Sequence, residues 1–118
     1  GMFSNPMYVT YADGNIFEVG LSDISYRNGK AHACVDVKNT TADKVYGATK
    51  VVVLDAAGKE IASACVEGLY NGNGRKSFSV DLVCEGAADS ISATVMSTRV
   101  AGIKYSESYT AKISELVQ

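Results

Sequence analysis

Ala31-His32-Ala33-Cys34-Val35-Asp36-Val37-Lys38-Asn39 alternates apolar and polar side chains with a period of two. Ala31, Ala33, Val35 and Val37 share one face, and His32, Cys34, Asp36 and Lys38 share the other. Only a strand half-buried in a sheet gives both sets a suitable solvent. The same pattern returns at 76–84, where Phe78, Val80, Leu82 and Cys84 oppose Ser77, Ser79 and Asp81. It returns again at 90–98, where Ile91, Ala93 and Val95 oppose Ser92, Thr94 and Thr98. Val51-Val52-Val53-Leu54 is apolar on both faces, as a central strand requires. Working outward, turn signals and alternation predict eight strands: 7–12, 16–26, 31–39, 46–54, 60–69, 76–84, 90–98 and 103–113. In 16–26 the phase slips between Leu21 and Ile24, which predicts a bulge near Ser22-Asp23.

Asp13-Gly14, Asn28-Gly29 and Asn73-Gly74 are each suited to a type I′ hairpin, which needs positive φ at two successive residues. Asp55-Ala56-Ala57-Gly58 reads as a type I turn closed by a left-handed glycine. The single proline, Pro6, precedes the first predicted strand. At the C-terminus, Tyr109, Ile113, Leu116 and Val117 also fall at helical spacing; a strand to about 113 is preferred, because an all-β fold needs a closing strand. The chain of 118 residues holds 27 Val, Ile and Thr against 5 Leu, a bias toward pleated sheet. The expected fold is all-β: one domain over 1–118, an immunoglobulin-like antiparallel β-sandwich of seven or eight strands.

Val35-Asp36-Val37-Lys38-Asn39-Thr40-Thr41 resembles the V-x-V-K-N-T/S strand end of small bacterial immunoglobulin-like domains, especially the FxLYD group. An apolar strand running into Asp55-Ala56-Ala57-Gly58 follows, and later Phe78-Ser79-Val80, in the same order across about residues 31–95. The aromatic pair that names the group is absent, since Leu54 directly precedes Asp55. The resemblance implies the sandwich fold and a non-enzymatic role in a group whose members are mostly exported or lipid-anchored; it carries over no catalytic residue.

Net charge of -2 at pH 7 gives no basic footprint for nucleic acid. No run is long and apolar enough for a membrane span. Gly1 before Met2 reads as a scar left by tag cleavage, which makes Met2 the native start and the compartment cytoplasmic; a longer precursor would make the protein an exported one. His32, Cys34 and Asp36 suggest a catalytic triad, but strand geometry sets neighbours about 6.6 Å apart and the ends about 13 Å apart. Asp36 is therefore out of reach of His32. Cys65 and Cys84 are expected as small core residues near each other, with Cys34 the more accessible. No CxxC or histidine pair offers a metal site. Gly68 to Ser77 has the composition of a phosphate loop but the wrong spacing, and it reads into a strand, so a hairpin is expected. Asp13-Gly14-Asn15 and Asp55 read as turn chemistry rather than calcium ligands, and Asp81 and Glu85, four residues apart, are as near in sequence as any two carboxylates.

No cofactor is expected. Tyr26, Tyr46, Tyr70 and Tyr105 fall near strand ends, where they serve either packing or recognition. The expected function is a non-catalytic module with a structural or protein-interaction role, its partner another protein. The turn carrying Tyr70, Asn71, Asn73 and Arg75 is the candidate surface. The competing surface is an edge strand, which would also support a homo-oligomer. The alternative function is a small-ligand or carbohydrate-binding module, against which the absence of Trp counts.

Overall fold

The computed structural model describes residue 11 and residues 14–113. Seven strands follow in order: β1 Phe17–Arg27, β2 Lys30–Asn39, β3 Val45–Leu54, β4 Glu60–Tyr70, β5 Arg75–Val83, β6 Ser90–Ser97 and β7 Tyr109–Lys112. They form two antiparallel sheets, β1-β2-β5 and β4-β3-β6-β7, and no helix occurs among the described residues. This is the expected sandwich. The expected strand at 7–12 falls on residues that lie outside the described ones, apart from Tyr11, which is not in a strand. Of the stretch 103–113, only Tyr109–Lys112 is a full strand; Lys104 makes a single bridge to Met96.

Alternation turns directly into burial. Val35 and Val37 of β2, Val51 and Val53 of β3, and Ile91 and Val95 of β6 are all 0% exposed. Their inward faces fill the space between the sheets, and this apolar burial is the dominant stabilising term. The slip in β1 is a bulge: the register to β2 shifts between Ser22 and Ser25, and Asp23 adopts φ +50°. Asn28 and Gly29 both have positive φ, at 52° and 75°, and close the β1–β2 hairpin as their sequence demands.

Two expectations fail at β4. The 71–74 turn is not a hairpin, because β4 pairs with β3 and β5 with β2 in the opposite sheet. The turn is an arch between layers. Only Asn73 of the Asn73-Gly74 dipeptide has positive φ, at 59°, and Gly74 N–H donates to the Asn71 carbonyl at 2.8 Å. Cys65 is exposed rather than buried, and all three cysteines are free. The cause is the Asp55–Lys59 turn. Its bulge pairs Val53 with Ala62 but Leu54 with Glu60, leaving Ile61 over. Ile61 and Ala62 both pack on the core, so Ala62, Ala64 and Val66 face inward beyond it. Cys65 then takes the outer face.

Candidate interaction surface

Asn39 ends β2 on the same face as Val37, and it is 0% exposed. A buried amide must find partners for its donors and acceptor. Its Nδ2 donates to the carbonyls of Asp43 at 2.7 Å, Asn71 at 3.1 Å and Tyr70 at 3.4 Å. Its Oδ1 accepts from Thr41 N–H at 3.0 Å and the Thr41 hydroxyl at 2.9 Å. One side chain thus ties the 40–44 loop to the 71–74 arch. Asn73 N–H adds a bond to the Thr41 carbonyl at 2.7 Å. The two segments are so close that a Cβ on Gly72 would stand 2.2 Å from the Ala42 carbonyl oxygen. Glycine is required there by contact, not by φ.

At this end of the molecule Asn71, Asn73 and Arg75 are exposed. Neither asparagine side chain has a hydrogen-bond partner among the described residues. Arg75 Nε lies 3.3 Å from Asp36 Oδ2 on the outer face of the three-stranded sheet. Tyr70 does not belong to the surface: it is 2% exposed and packs edge-on to Phe17, with centroids 5.1 Å apart. Phe17 in turn stacks on Tyr105, at 6.0 Å and 11° between planes. As the last residue of β4, Tyr70 continues the inward set of Val66 and Gly68, so its ring enters the core instead of solvent. Lys76 covers it, with Nζ 4.8 Å from the ring centroid. Burial pushes the Tyr70 phenol above its ordinary value of 10.0; the Thr49 hydroxyl opposes that rise, and the charge of Asp36 adds to it.

The outer face of the three-stranded sheet collects the residues that suggested a triad. His32 pairs not with Asp36 but with Asp81, its neighbour on β5, Nδ1 to Oδ1 at 2.9 Å. Asp36 accepts from the Ser77 hydroxyl at 2.8 Å. Cys34 Sγ donates to Asp23 Oδ2 at 3.6 Å, across to the bulge of β1. These are cross-strand pairs at partly exposed positions, and they depend on a register that neighbouring residues in sequence do not reveal. No group of three or more His, Cys, Asp or Glu among the described residues is placed to hold a metal ion. The outer face of the four-stranded sheet carries a shallow groove of about 330 Å³, with Val52, Leu54 and Met96 as its floor and Lys50, Lys104 and Ser108 among its polar lining. No helix among the described residues is long and apolar enough to cross a membrane.

No family model matches the chain, and no curated protein matches it in sequence. Solved structures resemble it in fold. A β-glucosidase from Listeria innocua, in complex with glucose, aligns at 12% identity and TM-score 0.54 over 81% of this chain and 16% of that one. The isofagomine complex of the same enzyme aligns at 13% and 0.56 over 82% and 16%. A β-glucosidase from Kluyveromyces marxianus aligns at 15% and 0.51 over 89% and 14%. The chain spans only about a sixth of the length of these enzymes. At such identities the likeness is one of fold.

Proposed function

We propose that the chain is a non-catalytic β-sandwich module that binds another protein through the arch at 71–75. The observation that carries this reading is the pinned turn. Asn39 and the Gly72–Ala42 contact hold the backbone from inside, while the amides of Asn71 and Asn73 and the cation of Arg75 stay outside. A surface held in one conformation loses little entropy on binding, and adaptable amides beside a cation suit a polar protein partner.

The test is affinity capture of partners from the source cell, followed by titration of each purified candidate. Asn71→Ala, Asn73→Gly and Arg75→Ala together remove the exposed groups, and glycine keeps the positive φ at 73. Binding by the native chain is expected to fall at least about ten-fold, roughly 1.4 kcal/mol. A partner held equally well by the triple variant overturns the assignment. The second reading, a small-ligand or carbohydrate module, draws on the groove above Val52, Leu54 and Met96. That groove has no aromatic ring to stack a sugar. A thermal shift with glycans that Met96→Lys removes would favour it.

A further inference from the structure

Among the described residues four strands end their sheets, and three of them are guarded against pairing with a foreign strand. The bulge at Asp23 breaks β1. β7 is four residues long and ends in Lys112. β5 turns Lys76 inward over Gly68 and Tyr70 and sets Arg75 and Asp81 on its outer face. Bulges, short length and inward charges are the devices that keep edges apart. β4 lacks them over most of its length. Its bulge lies at the start, where Glu85 N–H reaches the Ile61 carbonyl at 3.4 Å. From Ala62 to Leu69 the edge is regular and carries one charge of its own, Glu67, with Lys76 of β5 reaching over it at Gly68.

This run is also complementary to itself. Antiparallel pairing about a two-fold axis at Cys65 sets Cys65 against its own copy, Ala64 against Val66, Ser63 against Glu67 and Ala62 against Gly68. Inward positions meet inward positions, so the small apolar side chains of one copy continue those of the other. No like charges are opposed. We infer that β4 pairs with β4 of a second copy, joining two four-stranded sheets into one continuous sheet. The contact is isologous, so it closes as a dimer. It stands apart from the proposed function: the arch and this edge can each fail without the other.

Sedimentation equilibrium of the reduced protein tests it. The average mass is expected to rise with concentration from 12.4 kDa toward twice that value. Ser63→Glu places carboxylates opposite Glu67 on both sides of the axis and is expected to weaken the dimer about five-fold or more. Adding Glu67→Lys to it makes opposite charges face each other and restores the dimer. Both positions are exposed, and circular dichroism checks that the fold is kept. Diamide gives a second readout: two Cys65 thiols lose two protons and two electrons to it, forming one S–S bond between copies and the hydrazine. Cys65→Ser abolishes that cross-link and leaves the sedimentation unchanged. A monomer at every concentration, a dimer indifferent to Ser63→Glu, or a cross-link that survives Cys65→Ser overturns the inference.

Discussion

Asn39 shows how much one buried amide can organise. Alternation with Val37 places it inward, so its burial is legible in the sequence; the three carbonyls it binds are not, since two belong to a segment more than thirty residues on. Asn39→Ala leaves Thr41 N–H without its partner and takes a donor from all three carbonyls, of which Asn71 keeps Gly74 N–H and Asp43 keeps the Thr41 hydroxyl; it is expected to cost about 1–3 kcal/mol, read by urea unfolding. Thr49 is the opposite case. Its Oγ1 is buried without a hydrogen bond, near the Tyr70 phenol but out of bonding geometry. Thr49→Val keeps the shape and removes the orphan, so the melting temperature is expected to rise, by the equivalent of about 1 kcal/mol. The Tyr70 phenol has a pKa raised by burial, so the folded state favours its protonated form. Its contribution to stability is full below the unfolded value of 10.0 and is lost as pH rises through the folded value. Stability measured at about pH 9 and about pH 11 is expected to fall between them, and Tyr70→Phe to lessen the fall.

At the scale of elements, β4 is where reading by period alone breaks down. Ile61, Cys65 and Leu69 share odd parity, and the spare residue at Ile61 moves the inward set to the even positions. The turn that causes this is itself legible: Asp55 Oδ1 accepts from Ala57 N–H at 2.9 Å and Lys59 N–H at 2.8 Å, and Gly58 has φ +83°. What the turn does to the following strand depends on its pairing with β3. Thiol labelling checks the result. Cys65 is expected to react first under native conditions, and Cys84 last, because partial burial pushes its thiol up and thins its thiolate. Cys84 reacting ahead of Cys65 would return β4 to the odd parity.

Across the whole molecule, the aromatic end of the core fixes what the arch can be. Tyr70, Phe17 and Tyr105 pack as one cluster between the sheets. Tyr70→Ala therefore empties a core site and is expected to cost about 3–5 kcal/mol in thermal or urea unfolding, instead of acting as a silent surface change. Its loss of binding would report unfolding. The all-β class, the central place of Val51–Leu54, the bulge of β1 and the Asn28-Gly29 hairpin were determined by the sequence alone, because period-two alternation and positive φ are local properties of neighbouring residues. The tertiary structure decided the rest: that 71–74 crosses between layers, that Tyr70 lies inside and Cys65 outside, and that Asp81, not Asp36, faces His32. Each of these depends on which strand lies alongside which, and that pairing is set by burial of the two faces against each other over long separations in the chain.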